Sequence, residues 1–308
     1  MKHILCTTTS FGTSAPGLLE KLAENNLKPV LNPFKRKLSG EELKSLVIEY
    51  QPVGLLAGTE PVTQEVLESG KNCLKVVSRV GVGWDNVDKN AAARLGIQVF
   101  RTQGVLNDAV AELCLGLMLS ALRKLTLHDR QLRSGIWQKH MGGLLKGKTI
   151  GILGFGSIGQ RVGSLCHAFG AHIVFHDPVS KDVSWARSVE KQDLIATAHI
   201  ISIHADGSVA LIGQEELARC RQGVILINTA RGGMIEEAAL AKAILAGRVG
   251  CACLDVFDQE PYSGSLAESD RVILTPHIGS YAVEARVAME EMAVDNLLKG
   301  LCVMDSNF

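Results

Sequence analysis

The sequence lacks several features that mark membrane, secreted or nucleic-acid-binding proteins. No uncharged stretch reaches the roughly 20 apolar residues that a membrane helix needs. The nearest one, residues 109–122, is too short and contains Glu112. The N-terminus shows no secretory signal pattern. Basic and acidic residues both number 32, so the formal net charge is zero, and nothing attracts the whole chain to nucleic acid or to an anionic membrane.

Metal-binding cysteine patterns are also missing. The chain has eight cysteines, but none forms a C-x-x-C pair or another metal-ligand spacing. Cys251 and Cys253 lie two residues apart in an apolar run, so a strand would place both on one face. We interpret the cysteines as small buried core residues. Free thiols without a signal peptide predict a cytoplasmic location. Asp85 and Asp88 are interpreted as caps of the following helix, and we predict no metal site.

Short apolar strands alternate with amphipathic helices along the chain. This order predicts parallel sheets that are covered by helices on both faces. A helix is predicted over residues 107–135 and a last helix over 281–298. No repeat of solenoid period and no low-complexity linker occurs, so two packed domains are expected. The predicted strands are residues 3–7, 29–31, 53–56, 74–77 and 97–100 in a first series, and 149–153, 172–176, 199–204, 224–228, 250–254 and 272–274 in a second.

The strongest local signal is a G-x-G-x-x-G turn at residues 154–159. It follows an apolar strand and opens a predicted helix, and a second strand then ends at Asp177, which is the arrangement of a dinucleotide-binding unit. Gly154 permits the tight turn, Gly156 lets the backbone approach a pyrophosphate, and Gly159 lets the helix pack on the strand. A carboxylate at Asp177 accepts hydrogen bonds from ribose hydroxyls and repels a 2′-phosphate, so the predicted cofactor is NAD.

Three polar segments follow strands of the second series, at residues 228–233, 255–261 and 275–280. Ligands of doubly wound sheets bind beyond the carboxyl ends of the strands, so these segments are expected to line one cleft with the cofactor. They contribute Arg231, Glu260 and His277. An arginine, a carboxylate and a histidine beside a nicotinamide are suited to the oxidation of a 2-hydroxy acid.

At this point the sequence resembles the D-isomer-specific 2-hydroxyacid dehydrogenases over nearly its whole length. The matching motifs are residues 79–88, 108–113, 152–159, 228–233, 255–261 and 275–280. The resemblance implies a Rossmann dinucleotide-binding domain inserted in a flavodoxin-like α/β substrate domain, with the active site in the cleft between them. The substrate-binding domain would comprise residues 1–101 and 282–308, and the NAD-binding domain residues 102–281. Relatives pair through the long helix after residue 105, so a homodimer is expected.

The resemblance and the chemistry of the side chains suggest the same roles. Arg231 would bind the substrate carboxylate, His277 would be the acid/base, and Glu260 would hold the His277 ring. Asp255 would lie near the nicotinamide and orient it. The substrate-binding residues are expected to be Arg79, Val80, Gly81, Val82 and Gly83, together with Arg231 and His277. The expected cofactor-binding residues are Gly154, Phe155, Gly156, Ser157, Ile158, Gly159, Asp177, His204, Thr229, Ala230, Asp255, Gly279 and Ser280.

Two segments depart from the family pattern. Residues 205–210 replace a longer loop of many relatives, which leaves the contacts on the adenine side of the cofactor open. Residues 101–104 read Arg-Thr-Gln-Gly where relatives often have Asn-Thr-Pro-Gly, so the crossing between the domains is expected to differ.

The sequence predicts the reaction but leaves more than one substrate open. Arg79 and residues 32–37 and 280–286 resemble the 3-phosphoglycerate dehydrogenases of serine biosynthesis, which points to D-3-phosphoglycerate and 3-phosphohydroxypyruvate. Because the chain ends at Phe308, serine inhibition through an added regulatory domain is not expected. The alternatives are glyoxylate and hydroxypyruvate, because residues 104–108 resemble their reductases. An alternative of another class is an NADH-sensing protein-binding module, like the C-terminal-binding corepressors.

Overall fold

The computed structural model describes residues 1–207 and 209–305, with side chains up to residue 302. Ser208, in the loop predicted to differ from relatives, and residues 306–308 of the predicted substrate domain lie outside the described residues. The chain divides into two compact units, Met1–Leu106 with Ser280–Phe308 (unit 1) and Asn107–Gly279 (unit 2). None of the described helices combines the length and apolar character that crossing a membrane requires.

Twelve strands and eleven α-helices are found within the described residues. The strands are β1 Lys2–Cys6, β2 Leu27–Leu31, β3 Gly54–Ala57, β4 Val76–Arg79, β5 Gln98–Arg101, β6 Thr149–Leu153, β7 His172–His176, β8 Ala186–Ser188, β9 Ile200–Ile203, β10 Val224–Asn228, β11 Val249–Leu254 and β12 Val272–Leu274. The helices are α1 Gly17–Glu24, α2 Gly40–Tyr50, α3 Gln64–Ser69, α4 Lys89–Arg94, α5 Asn107–Arg123, α6 Leu125–Arg133, α7 Ser157–Ala168, α8 Lys191–Thr197, α9 Gln214–Arg219, α10 Glu237–Leu245 and α11 Val283–Asp305.

Unit 1 contains one parallel sheet in the order β2-β1-β3-β4-β5, which is the flavodoxin-like order. Helix α11 packs on β3, β4 and β5. Gly54 and Gly300 make this close packing possible, because a Cβ at Gly54 would come within 2.5 Å of Leu297 and one at Gly300 within 2.8 Å of Val76. Helix α4 begins where predicted caps lie, and the Asp88 carboxylate accepts a hydrogen bond from the Ala91 amide at 2.8 Å.

Unit 2 contains a seven-stranded parallel sheet in the order β12-β11-β10-β9-β6-β7-β8. This is the Rossmann order with β12 added at one end, and it confirms the predicted fold class. The core lies between the sheet and the helices α8 to α10, and is formed by apolar side chains such as Leu194, Ile201, Leu226 and Leu240. On the other face, α5 packs against α7.

One predicted helix is two helices. The chain leaves helical geometry at Lys124, whose φ of 54° is left-handed, so α5 ends at Arg123 and α6 begins at Leu125. No glycine or proline marks this break, so residue propensities alone could not locate it. Helix α6 has no buried residue, unlike α5.

Candidate active site

The parallel strands of unit 2 give its sheet two chemically different edges. We call the residues that directly follow β6, β9, β10, β11 and β12 the carboxyl edge, and those that directly precede these strands the amino edge. The predicted cofactor turn and the three polar segments all follow strands, so they lie at the carboxyl edge. This is the edge at which doubly wound folds bind ligands.

Two glycines of the 154–159 turn are required by packing. Gly154 has a φ of +88°, and a Cβ there would lie 2.5 Å from the Ala205 nitrogen. A Cβ at Gly159 would collide with the Gly154 carbonyl oxygen. Any side chain at either position would therefore push the turn away from β9 or separate α7 from β6.

Gly156 is different, because a Cβ there would meet nothing within 4 Å. Gly156 and Ser157 are exposed at the start of α7, and no side chain caps this helix end. The first amides of a helix have no intrahelical acceptor and carry the positive end of its dipole. Open space beside exposed amides suits the pyrophosphate of a dinucleotide, so the residues of this turn fit the predicted cofactor NAD.

Asp177 stands at the end of β7, next to this turn. Its carboxylate accepts hydrogen bonds from the amides of Phe155 at 2.6 Å and Val179 at 2.8 Å. Phe155 itself is fully buried and stacks on Phe175 with ring centroids 3.9 Å apart. The structure thus places the Phe155 ring in the core, where it supports the turn. Ile158 is partly buried on α7.

The loop after β10 is held in a fixed shape around Arg231. The buried Asn228 side chain accepts from the Ala230 amide at 3.1 Å and donates to the Arg231 carbonyl at 2.9 Å. A Cβ at Gly232 would collide with the Phe257 carbonyl oxygen, so this loop and the loop after β11 lie in direct backbone contact. Arg231 is partly exposed, and its Nη1 donates to the Ala230 carbonyl at 2.7 Å.

His277 and Glu260 form a pair at the same edge. The Nδ1 atom of His277 lies 3.0 Å from Oε2 and 3.1 Å from Oε1 of Glu260. A carboxylate only accepts, so Nδ1 carries the proton and Nε2 is the nitrogen that can exchange a proton with a ligand. The side chains are 48% and 39% exposed, which leaves the pair accessible from solvent. The predicted partners are therefore brought together.

Asp255 builds the turn that carries His277. Its carboxylate is fully buried and accepts from the Thr275 hydroxyl at 2.5 Å and from the amides of Ile278 and Gly279 at 2.8 Å each. His277 has a φ of 54° in this turn, a left-handed conformation that the flanking hydrogen bonds stabilise. The Asp255 carboxylate thus fixes the turn that carries His277, and its place beside the nicotinamide stays a prediction.

Two further predicted residues follow β9 and β10. Burial lowers the pKa of His204 to about 4, so its ring is neutral near pH 7, and Nε2 lies 2.8 Å from the Ser202 hydroxyl. The Thr229 hydroxyl lies 3.1 Å from the Cys114 thiol of α5. Both residues and Ala230 are partly buried at the carboxyl edge. Ser280, which begins the second segment of unit 1, is also partly buried.

The predicted substrate loop follows β4 in unit 1. Gly81 has a φ of +151°, and a Cβ there would collide with the Arg79 guanidinium, which also donates to the Val80 carbonyl. The amides of Val80 and Gly81 donate to the carbonyls of Ala57 and Arg79. For the amides of Val82 and Gly83, no backbone acceptor is found among the described residues.

Sequence reasoning missed two buried acids in unit 1, Glu60 and Glu290. Glu60 is 1% exposed, and its carboxylate accepts from the Thr7 hydroxyl and, at 2.8 Å, from the Gly58 amide. Asn86 donates to the Glu60 carbonyl at 2.7 Å. Glu60 therefore ties together the loops after β1 and β3 and the segment before α4. Its place three residues after an apolar strand was the available signal. Among the described residues, no cluster of potential ligands suited to a metal ion occurs.

Comparison with known proteins agrees with this geometry. Residues 115–279, more than half of the chain, match the family model of the D-isomer specific 2-hydroxyacid dehydrogenase, NAD binding domain. The D-3-phosphoglycerate dehydrogenase of Archaeoglobus fulgidus is 37% identical over 88% of this chain and 54% of that protein. The chain thus spans about half the length of that relative. The hydroxypyruvate reductase of Thermotoga maritima is 36% identical over 89% of this chain and 92% of that protein.

A solved structure shows the same fold. The crystal structure of a glyoxylate reductase from Paecilomyes thermophila superposes with a TM-score of 0.86 and 28% identity, and covers 96% of this chain and 94% of that chain. The family model specifies an NAD-binding domain, and the glycine turn and Asp177 described above fit that cofactor. The chain therefore belongs to the D-isomer-specific 2-hydroxyacid dehydrogenase family, whose members are NAD-dependent oxidoreductases.

Proposed function

We propose that this chain interconverts a D-2-hydroxy acid and its 2-oxo acid with His277 as the acid/base. The observation that carries the proposal is the His277–Glu260 pair, which stands at the carboxyl edge with Nδ1 bound to the carboxylate. In oxidation Nε2 accepts the proton of the substrate hydroxyl, and in reduction it returns a proton to the oxygen. Glu260 holds the ring, and Asp255 fixes the turn that presents it.

Arg231 binds the substrate carboxylate in this proposal. The guanidinium is a fixed cation with a planar fork of donors, which matches a carboxylate. The Asn228 side chain fixes the shape of the Arg231 loop, and Gly232 lets this loop pack against the loop after β11, which leads to Glu260. The same cation polarises the oxygen at C2, so loss of Arg231 affects both binding and turnover.

The cofactor is held by the glycine turn and the residues beside it. The amides at the start of α7 receive the pyrophosphate beside Gly156, and Asp177 receives the ribose hydroxyls, which disfavours a 2′-phosphate. NAD, when bound, supplies the acceptor or donor of the hydride. Thr229, Ala230, His204, Gly279 and Ser280 are proposed to border the cofactor, and residues 102–281 are proposed as its domain.

The substrate domain is proposed to comprise residues 1–101 and 282–308. Within it, the loop after β4 supplies the amides of Val82 and Gly83, which have no backbone acceptor among the described residues, to the substrate carboxylate. Arg79 adds a positive charge to this loop, because its guanidinium packs directly on Gly81.

We propose D-3-phosphoglycerate and 3-phosphohydroxypyruvate as the substrate pair. The charge of Arg79 beside the loop and the identity with a phosphoglycerate dehydrogenase support this choice. A specific observation favours hydroxypyruvate or glyoxylate as the second candidate. The Arg79 guanidinium is turned back on its own loop, where it donates to the Val80 carbonyl, and Arg36 of the basic run 35–37 is paired with Glu42. Small acids require neither cation.

A single assay of NADH oxidation with 3-phosphohydroxypyruvate, hydroxypyruvate and glyoxylate tests both the proposed reaction and the proposed substrate. A kcat/KM preference of roughly a hundredfold for the phosphorylated acid, about 2.7 kcal/mol, supports a phosphate-binding role for Arg79. The reverse preference selects a small-acid reductase. NADH binding without turnover of any 2-oxo acid contradicts the dehydrogenase and favours a protein-binding module.

We also propose that the chain forms a homodimer. Helix α6 has no buried residue, and the segment after it exposes large apolar side chains, with Ile136 48% and Trp137 82% exposed. Exposed apolar area of this kind is typical of an interface. Light scattering at micromolar concentration should give twice the 33.0 kDa of one chain; a monomeric mass contradicts the proposal.

A further inference from the structure

The amino edge of the unit 2 sheet carries a cavity that the proposed reaction does not use. Its volume is about 310 Å³, which is within the range of small-molecule sites. His199 and Gly223 directly precede β9 and β10, and both line the cavity. The residues of the proposed catalytic site, by contrast, follow β10, β11 and β12. At about 3.3 Å per residue, strands of four to six residues keep the two edges well over 10 Å apart.

The cavity is strongly basic. Lys124, Lys148 and Arg221 line it together with His199, and none of its fourteen lining residues is acidic. Among the described side chains, those of residues 1–207 and 209–302, these three cations form no ion pair with a carboxylate. In a chain whose formal net charge is zero, three cations without a carboxylate partner around one cavity are a marked local excess.

The lowered pKa of His199 agrees with a positive electrostatic potential in the cavity. Burial, Arg221 and Lys148 lower the pKa of His199, in that order of importance. Its Nδ1 accepts a hydrogen bond from the Thr149 amide at 3.1 Å, so the neutral ring carries its proton on Nε2. His199 therefore adds a neutral donor to the charged ones.

The walls of the cavity are fixed by backbone contacts. The Gly143 amide donates to the Leu122 carbonyl at 2.9 Å, and a Cβ at Gly142 would lie 2.6 Å from the same oxygen. On the opposite side, a Cβ at Gly250 would lie 2.7 Å from the Gly223 carbonyl oxygen. The Lys148 side chain lies close to Gly143, because a Cβ added at Gly143 would be 3.7 Å from the Lys148 Nζ. The basic groups thus surround a defined space rather than a flat surface.

We propose that this amino-edge cavity binds a small, multiply charged anion that carries a phosphate group. Arg221 offers a planar fork of donors that matches phosphate oxygens, and the lysines add charge without geometric demand. A phosphate offers three terminal oxygens and up to two negative charges, so it matches three cations better than the two oxygens and single charge of a carboxylate. The site is separate from the catalytic one, and the proposal does not depend on which 2-oxo acid is the substrate.

Cys251 lines the cavity and provides a reporter of its charge. A hydrogen bond from Cys253 lowers the pKa of the Cys251 thiol, which favours its alkylation. We would treat the NADH-loaded protein with iodoacetate, which is anionic, and with iodoacetamide, which is neutral, and quantify Cys251 by peptide mass spectrometry. The iodoacetate-to-iodoacetamide rate ratio should be several-fold higher at Cys251 than for free cysteine, and pyrophosphate should slow both reactions.

Matched variants complete the test. The double variant Lys148→Gln with Arg221→Gln should return the ratio to that of free cysteine and raise the pyrophosphate concentration needed for protection about tenfold or more. The control is Arg219→Gln, because Arg219 is exposed, lies two residues from Arg221 and is outside the cavity lining. This variant should leave the rate ratio and the protecting pyrophosphate concentration unchanged. If the double variant does not bind NADH, Arg221→Gln alone replaces it.

Three results overturn the proposal. One is a wild-type ratio equal to that of free cysteine. The second is pyrophosphate protection that persists in the double variant. The third is a Cys251 that neither reagent modifies in the native protein, because the cavity is then closed to small molecules, as it would be under a second copy of the chain.

Discussion

The two edges of the unit 2 sheet place histidines in opposite electrostatic surroundings. At the carboxyl edge His277 faces a carboxylate, with Nδ1 3.0 Å from Glu260. At the amino edge His199 faces Arg221 and Lys148, which lower its pKa together with burial. His277 follows β12 and His199 precedes β9 of the same parallel sheet, and both side chains are at least partly accessible. A histidine thus becomes a proton carrier or a neutral donor according to the side chains that the fold brings beside it.

The strand direction explains why the edges differ. At the carboxyl edge, loops are held by the buried side chains of Asn228, the last residue of β10, and of Asp255, which follows β11. The turn that Asp255 fixes holds His277 in a left-handed backbone conformation. At the amino edge, Gly223, which precedes β10, packs closely against Gly250 near the start of β11, and both line the cavity. The first edge is built for chemistry on a bound ligand, and the second for binding by charge.

The largest expected effect is at the carboxyl edge. His277→Ala should reduce kcat by about a thousandfold, since positioned acid/base groups contribute about 10²–10⁴. NADH affinity should change little, because the proposed cofactor contacts lie elsewhere. Steady-state kinetics and NADH fluorescence titration measure the two quantities. His172→Ala is the matched control, because His172 is an exposed histidine that starts β7 at the other end of the same sheet. Equal loss of turnover and NADH binding in His277→Ala contradicts the acid/base role.

A somewhat smaller effect is expected for Arg231→Ala. Removal of the cation that binds the substrate carboxylate should raise KM for the oxo acid and lower kcat, with kcat/KM reduced by about 10²–10³, or about 3–4 kcal/mol. Arg231→Lys should recover only part of this loss, because an ammonium does not reproduce the guanidinium fork. Arg219→Ala, an exposed arginine of α9, is the control. An unchanged KM for the oxo acid would show that Arg231 is misassigned.

Much of the carboxyl edge was predictable from the sequence. Parallel strands end at one edge, so a polar segment after each of β10, β11 and β12 predicted that Arg231, Glu260 and His277 would gather there. The bounds of β6, β7, β10 and β12 agree with the prediction, because each is a continuous apolar run. The pairing of His277 with Glu260 followed from the resemblance and from the short distance between neighbouring strand ends.

Other features depend on contacts that no local pattern encodes. Phe155 stands inside the glycine motif, yet its ring turns into the core against Phe175. The sequence suggested a place for Asp255 beside the cofactor, but it did not predict the full burial and the three hydrogen bonds by which Asp255 fixes the turn of His277. The amino-edge cavity joins Lys124, Lys148 and Arg221, which lie up to 97 residues apart and become neighbours only through the order of strands in the sheet.

A third histidine separates the effect of burial from that of charge. Burial lowers the pKa of His204 from 6.5 to about 4. Above pH 6.5 the ring is neutral in both the folded and the unfolded chain. As the pH falls, the unfolded chain takes up the proton first, so stability present above pH 6.5 is lost on the way to pH 4. Between pH 7 and pH 5 this loss amounts to about 2 kcal/mol in the free energy of unfolding.

Urea unfolding of the wild type and His204→Asn at both pH values measures this contribution. The variant should lose about 2 kcal/mol less stability between pH 7 and pH 5, because asparagine does not titrate. His172→Asn, at an exposed position, should keep the wild-type dependence. Identical pH dependence in wild type and His204→Asn would mean that the His204 ring is solvated in the folded protein.

The smallest expected effect is the response of two histidine pKa values to salt, which separates the effect of charge from that of burial. The pKa of His204 is lowered by burial alone, whereas that of His199 is also lowered by Arg221 and Lys148. Salt screens charge–charge interactions and leaves desolvation nearly unchanged, since the Debye length falls from about 10 Å at 0.1 M to about 3 Å at 1 M. NMR titration of the ring protons should therefore show the His199 pKa rising towards its usual value in 1 M NaCl, while that of His204 stays near 4. Arg221→Gln should raise the His199 pKa at low salt and reduce its response to added salt. If salt moves both histidines equally, the basic groups do not set the potential at the amino edge, and the contrast between the edges reduces to burial.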